Sequence, residues 1–252
     1  MIKTVGLNKT FEDNRKVLDD INVTFETGKV NLIIGQSGSG KTVLLKSLVG
    51  LHTIDSGKIY YDDKCYSDMD FKERRVIQQH TGMLFQGGAL FDSMTVLNNV
   101  KFPLDVFTDK GEAEKIDIAR KCLRRVEISD SADNLYPSEI SGGMVKRVSI
   151  ARGIVMNPKY LFCDEPNSGL DPKTAIVIDN LIMEITKEYN ITTVINTHDM
   201  NSVMEIGENI VFINNGKIWW EGSNENILES ENQELNDFVF ASSMAKRAKG
   251  CM

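Results

Sequence analysis

The chain has 252 residues, 41% of them hydrophobic, which is enough for one large α/β domain or for a core carrying a smaller inserted lobe. A formal net charge of −7 argues against general nucleic-acid binding, which needs excess Lys and Arg to neutralise phosphates, so no nucleic-acid partner is expected. No apolar run approaches the ~20 residues that span a bilayer, no signal-peptide core follows Met1, and Cys65, Cys122, Cys163 and Cys251 form no CxxC pair. The expectation is a cytoplasmic chain that reaches a membrane only through a partner.

Val30 to Ile34 is a short apolar run leading into glycines and reads as a buried strand. The residues after it, 43–50, continue as a helix whose apolar face is Val43, Leu44, Leu45, Leu48 and Val49. Ile59, Tyr60 and Tyr61, with the residues after Asp62 and Asp63, read as a hairpin. The stretch 90–157 is dominated by helical signals, including 111–126 and 144–156, and is expected to form an inserted helical lobe. Residues 160–163 and 191–196 are two further strand-like runs. Between them lies a helix with Asp171 suited to its N-cap, Pro172 to its first position, and Ile178, Leu181, Ile182 and Ile185 as its stripe. Strand, helix, strand in that order implies a parallel sheet. Ile210 to Ile213 and Lys217 to Trp220 read as a second hairpin, because Asn215 and Gly216 between them suit positive φ. The segment 221–237 carries acids but no Lys or Arg and reads as a solvated acidic helix before a frayed basic end at Lys246, Arg247 and Lys249. Phe238, Val239 and Phe240 are too apolar for water and are expected to dock on something.

The strand at 30–34 runs into Gly35, Gln36, Ser37, Gly38, Ser39, Gly40, Lys41 and Thr42, and a helix follows. This is the context a phosphate-binding loop requires. The glycines allow a tight loop whose N–H groups point at phosphate oxygens, and the helix presents its positive end to the same anion. Lys41 is expected to reach the β- and γ-phosphates of a nucleotide, and Thr42 to offer its hydroxyl to Mg²⁺. Asp164 and Glu165 follow the strand at 160–163, and ligands of parallel α/β sheets bind at the carboxyl ends of their strands. Asp164 is therefore placed to organise Mg²⁺, and Glu165 is the candidate general base for water in line with the γ-phosphate. His198 follows a third strand and would face the same edge, to bond the γ-phosphate or position the water. Ser141, Gly142 and Gly143 open another helix with the same ingredients of an anion site. One nucleotide needs one cradle, so the second is expected to complete the site of another copy of the chain.

The order of these motifs resembles that of ABC-family ATPases over about residues 1–228, with 229–252 as a tail that matches the pattern poorly. In that resemblance, residues 35–42 are the phosphate loop and Gln86 is the Q-loop glutamine. Residues 141–143 are the signature, Leu161–Glu165 the second acidic motif, Ser168–Asp171 the D-loop and His198 the switch histidine. Phe11, 24 positions before Gly35, resembles the aromatic residue that stacks on adenine. The resemblance implies a P-loop NTPase core of RecA-like type, an antiparallel β subdomain and a helical subdomain at about 90–157. It also implies catalytic roles for Glu165, His198 and Gln86, and Mg²⁺ held by Thr42, Gln86 and Asp164. ATP would be sandwiched in a head-to-tail homodimer, with Ser141, Gly142 and Gly143 contributed in trans, and a permease would hold the pair at the inner membrane.

A narrower resemblance lies in Gly82–Val96, in Asn98, Asn99, Val100 and Pro103, and in Met144 where most of the family carries Gln. This pattern looks like the Mla (MCE-associated) lipid-trafficking ATPases, and implies phospholipid as cargo and an MCE-type lipid-binding partner. Soluble ABC ATPases of DNA repair or translation are the alternative; they generally carry tandem cassettes or long coiled-coil insertions. This chain has one cassette, no long heptad run and an acidic balance. A nucleotide-binding regulator without catalysis is disfavoured by the presence of both Glu165 and His198.

Overall fold

The computed structural model describes residues 1–12 and 14–240, so Lys246, Arg247, Lys249 and Cys251 lie outside the described residues. In chain order, β1 (Ile2–Thr10) and β2 (Lys16–Phe25) precede β3 (Val30–Ile34) and α1 (Lys41–Val49). The hairpin β4 (Ser56–Tyr61) and β5 (Lys64–Cys65) leads to α2 (Phe71–Gln79) and β6 (Thr81–Leu84). Then come the lobe helices α3 (Val96–Phe107), α4 (Glu112–Arg125) and α5 (Gly142–Ile154). The chain returns through β7 (Tyr160–Asp164), α6 (Pro172–Glu188), β8 (Thr192–Asn196) and α7 (Met200–Ile206). It continues through β9 (Asn209–Asn214), β10 (Lys217–Gly222) and α8 (Gln233–Val239).

Two sheets result. One is antiparallel, in the order β2-β1-β4-β5; the other runs β10-β9-β3-β8-β7-β6 and is parallel except for β10. Every residue of β3, β7 and β8 is buried, as a strand covered on both faces must be. Side chains alternate between those faces. Val30, Leu32 and Ile34 join Leu161, Cys163, α6 and the lobe helices in one core. Ile33, Phe162 and Val194 join α1 and the antiparallel sheet in the other. The fold is that of a P-loop NTPase with an antiparallel β subdomain and a helical subdomain, as its motifs imply.

Local chemistry fixes the lobe. Thr95 caps α3 by accepting from Asn98 N–H at 3.3 Å. The buried Asn99 donates to the carbonyls of Phe91, Met94 and Thr95, each at 3.1 Å, and accepts from Phe91 N–H at 2.8 Å, closing the turn that leads into the helix. Asp171 caps α6 by accepting from Thr174 N–H at 3.1 Å, with Pro172 at the first position as the sequence suggests.

The acidic segment departs from the expected single helix. Residues 221 and 222 end β10, a short turn follows at Ile227–Glu229, and α8 has only seven residues. Packing overrides the charge pattern: Leu235 and Val239, four apart on one face, are buried with Phe240 in the core beside α6 and β9. Phe238 stacks against Phe212 with ring centroids 5.5 Å apart. The apolar residues therefore dock on their own chain.

One polar residue crosses the middle of the parallel sheet. Asn31 is wholly buried in β3 and bonds the carbonyls of Glu26, Lys29 and Thr193 at 2.9–3.0 Å. Its Oδ1 accepts from Glu26 N–H at 2.7 Å and from Asn209 Nδ2 at 2.8 Å. Asn31→Leu keeps the volume but orphans these groups, and buried unsatisfied groups cost ~1–3 kcal/mol each. We expect a loss of about 2–4 kcal/mol in urea unfolding; an unchanged midpoint would show that Asn31 does not hold the strands together.

Candidate functional site

The phosphate loop begins where β3 ends. Gly35, Gly38 and Gly40 have φ of 148°, 79° and 113°, a region that L side chains rarely adopt. A Cβ on Gly35 would also lie 2.2 Å from the Ile213 carbonyl oxygen, so the loop closes against β9 only with glycine there. The loop is pinned by Ser39 N–H to Gln36 O at 3.2 Å and by Gly216 N–H to Ser39 O at 3.0 Å. Gly40 is the residue from which α1 starts. The product is a set of loop amides at a helix N-terminus, which is an anion cradle.

Lys41 is 7% exposed and donates through Nζ to the carbonyls of Gly35 at 2.8 Å and Gln36 at 3.1 Å. Burial pulls its pKa below the ordinary lysine range, while Glu165 and Asp164 nearby pull the other way. An anion brought into the cradle would complete this cation. Thr42 Oγ1 lies 3.4 Å from Asp164 Oδ1, and Asn196 Nδ2 donates to both, at 2.9 Å to the hydroxyl and 2.6 Å to the carboxylate.

Glu165 follows Asp164 with φ 51°, an unusual conformation for a residue with a Cβ, and its N–H donates to Asn196 O at 2.9 Å. That turn brings Glu165 Oε2 to 2.8 Å from His198 Nδ1. Gln86 Nε2 donates to Ser168 Oγ at 3.1 Å, joining the Q-loop to the D-loop. Gly35, Gln36, Ser37, Gly38, Gly40, Lys41, Thr42, Gln86, Glu165 and His198 all line one cleft of 1240 Å³.

Other expected residues stand apart from that cleft wall. Ser39 turns inward and is 6% exposed, and Asp164 lies beneath Thr42. Phe11 is not among the lining residues, although Arg15 and Val17 of the same arm are. The Phe11 ring meets His52 edge-on at 5.7 Å and has Lys9 Nζ 5.4 Å from its centroid. Ser141, Gly142 and Gly143 line a different depression, with Gly169, Asp171 and Thr174. There Ser141 caps α5 by accepting from Met144 N–H at 3.3 Å.

Two participants went unread in the sequence. Asn196 is fully buried, and its signal was its register: it pairs with Asp164 across β7 and β8. Lys146 of α5 is 6% exposed and hydrogen-bonds the Gln86 carbonyl, and no local pattern announces that contact.

A strand, a glycine loop and a helix N-terminus, faced by carboxylates from β7 beyond the intervening β8, define a nucleotide-binding domain of the P-loop class. The ABC transporter family profile matches residues 18–168, and the chain belongs to that family, as its ATP-binding cassette. It is 37% identical over 238 residues to a probable ribonucleotide transport ATP-binding protein, mkl, of Mycobacterium tuberculosis, covering 94% of this chain and 66% of that protein. The chain thus spans about two thirds of the length of the mycobacterial relatives. It is 38% identical over 240 residues to the methionine import ATP-binding protein MetN of Clostridium tetani, covering 95% of this chain and 74% of that protein. Among solved structures, it resembles a dimeric post-hydrolysis state of the cassette MJ0796 bound to ADP and Pi. That match has a TM-score of 0.81 and 31% identity, over 89% of this chain and 99% of that one. It also resembles cbiO1 of Clostridium perfringens, part of the transporter complex cbiONQ. There the TM-score is 0.84 and the identity 30%, over 100% of this chain and 98% of that one.

Lys41→Ala removes the buried cation of the cradle, and we expect ATP to bind at least about tenfold more weakly, ~1.4 kcal/mol, in titrations with a fluorescent analogue. Gly35→Ala should match that loss by displacing the loop from Ile213. Unchanged affinity in both variants would move the nucleotide elsewhere.

Proposed function

We propose that this chain hydrolyses ATP as the motor subunit of a membrane transporter. The observation that carries the reading is the Glu165–His198 contact of 2.8 Å in the cleft that also holds Lys41 and Thr42. In this reading, Lys41 turns from the Gly35 and Gln36 carbonyls to the β- and γ-phosphates. Glu165 takes a proton from a water molecule as its oxygen bonds to the γ-phosphorus and the bond to the β-phosphate oxygen breaks, releasing ADP and phosphate. His198 keeps Glu165 aimed at that water. Phe11 serves as the adenine platform beside Arg15 and Val17.

The residues present fit Mg²⁺. Among the described residues, no group of three or more His, Cys, Asp or Glu is arranged to hold a metal. A magnesium ion keeps waters and phosphates as ligands, so a hydroxyl and one carboxylate suffice. Asn196 Oδ1 is also buried without a partner, on the amide whose Nδ2 donates to Thr42 and Asp164. Thr42, Gln86 and Asp164 would hold the ion, which when bound neutralises phosphate charge. Ser141, Gly142 and Gly143 line a depression separate from the chain's own cleft, and a head-to-tail dimer would give them a second copy's γ-phosphate to bind.

Among the described residues no helix is long and apolar enough to cross a membrane. In this reading a permease forms the path across the inner membrane and holds the motor at its cytoplasmic face. The cargo is phospholipid, passed between the permease and an MCE-type lipid-binding protein. Support for this finer reading is the resemblance in Gly82–Val96 and at Met144. The names of the relatives, ribonucleotide transport and methionine import, point to other solutes. A cassette of this kind touches its permease rather than the solute, so overall identity follows the shared engine and the Q-loop segment follows the partner.

Glu165→Gln keeps the side chain's shape but removes the base. We expect ATP affinity within about twofold of wild type and turnover reduced at least 100-fold, as loss of a general base predicts; wild-type phosphate release would remove Glu165 from the role. Capture from mild detergent with the full chain as bait should recover a permease together with an MCE protein. A permease with a solute-binding protein for amino acids or nucleotides would refute the lipid cargo, and recovery of ribosomes or repair factors would refute transport.

A further inference from the structure

Asp179 sits in α6, buried to 3% exposure, behind the loop that carries Glu165. A carboxylate in such a place is costly unless it is hydrogen-bonded. Its Oδ1 accepts from Asn167 Nδ2 at 2.7 Å, and the nearby Ser202 hydroxyl opposes the rise that burial gives its pKa. The same Asn167 Nδ2 donates to Ser202 Oγ at 3.1 Å. These three side chains come from three segments. Asn167 lies two residues after Glu165 and one before Ser168, which holds Gln86. Ser202 lies in α7, four residues after His198. Asn167 Oδ1 is buried with no partner, so the orientation of its amide depends on what its NH₂ group donates to.

The titratable groups facing Asp179 are Asp199 and Glu205 of the α7 segment and the Cys163 thiol of β7. None is a cation, so no salt bridge explains the acid. A leucine or alanine would fill a core position on α6 at less cost. What a carboxylate offers is two acceptor oxygens, and here it holds the Asn167 amide, which also donates to Ser202, so that one cluster spans the two segments that must meet at Glu165 and His198.

We infer that Asp179 is a positioning residue of the hydrolytic site, which through Asn167 and Ser202 locks the Glu165 loop to the helix behind His198. The inference rests on the function proposed for Glu165 and His198. Burial, more than the hydrogen bonds opposing it, raises the Asp179 pKa to about 6. The ionised, two-acceptor form therefore prevails at pH 8 and is lost as pH falls through that value. Protonation leaves one acceptor and turns the other oxygen into a donor, and Asp179→Asn has that same pattern at every pH.

The test is the purified full chain in steady-state ATPase assays from pH 5.5 to 8.5, with melting curves alongside. Asp179→Asn should bind ATP within twofold of wild type, and at pH 8 its kcat should be three- to tenfold lower. Its profile should lose the wild-type rise centred near pH 6. Stability should move the opposite way. A raised carboxylate pKa means that ionisation opposes folding above pH 6 and has no effect below about 4, near the unfolded value. Asp179→Asn should then melt at or above wild type at pH 8, with the gain vanishing near pH 4. Asn167→Ala should lower kcat, and adding Asp179→Asn to it should lower kcat no further. Wild-type kcat and an unchanged acid limb in Asp179→Asn, or additive losses in the double variant, would reduce Asp179 to a core residue. Glu165→Gln is the control that separates the two ideas. Wild-type turnover in that variant overturns the hydrolytic reading itself, whatever Asp179 does.

Discussion

Asn196 Nδ2 donates to Thr42 Oγ1 and Asp164 Oδ1, and the rest of the site depends on that bridge. It exists because β8 lies between β3 and β7, with Ile33 opposite Asn196 on one side and Asp164 opposite Asn196 on the other. A shift of one residue in either register would turn Asn196 or Asp164 to the wrong face of the sheet. All residues of the three strands are buried, and their side chains are divided between the two cores, so the register is tied to the packing on both faces of the sheet. Folding energy from the core is thereby converted into the placement of three polar groups. Glu165, one residue beyond Asp164, inherits its position and takes the left-handed conformation that aims it at His198.

Beside the apolar core that it shares with this frame, the lobe grips one short segment of its backbone by hydrogen bonds. Three side chains of α5 hold it: Lys146 on the Gln86 carbonyl, Ser149 Oγ on Gly88 O at 2.9 Å, and Arg152 on Gly88 O and Ala89 O at 2.9 and 2.8 Å. Gly88 and Ala89 both have positive φ, at 80° and 47°, so the chain bends sharply where α5 grips it. The helix that begins with Ser141, Gly142 and Gly143 is therefore fastened to the loop that ends in the cleft at Gln86. In the proposed function, movement of Gln86 toward phosphate would pull on α5 through these three side chains, whose acceptors are all backbone carbonyls.

How much of this was legible in the sequence follows from the kind of signal each part leaves. The phosphate loop, Asp164, Glu165 and His198 are marked by position at the ends of apolar runs, and those runs are strands because five consecutive buried residues leave no polar face. Asp171 with Pro172, and Asn215 with Gly216, announce a helix start and a turn by local backbone chemistry. Other elements leave weaker traces. β1 and β2 interleave polar residues and carry register shifts, and α2 buries none of its residues, so periodicity says little about either. The order β10-β9-β3-β8-β7-β6 is a consequence of tertiary packing with no local signal. Asn196, Lys146 and Asp179 were missed for one reason: each is a polar residue in an apolar stretch, and its meaning lies in a partner far along the chain.

The electrostatics give these buried polar residues a common logic. Lys41 and Lys146 are both nearly inaccessible, both have pKa values pulled down by burial, and both feel the charge of Glu165. Each is held by backbone carbonyls: Gly35 and Gln36 for one, Gln86 for the other. Carbonyl dipoles solvate an ammonium less well than water does, so these cations sit at higher energy than surface lysines. Lys41 opens on the cleft, and a phosphate anion would relieve it there. Lys146 is on the far side of the Q-loop and has no such relief while the loop stays in place. The two cations thus bracket Glu165 from the core and from the lobe.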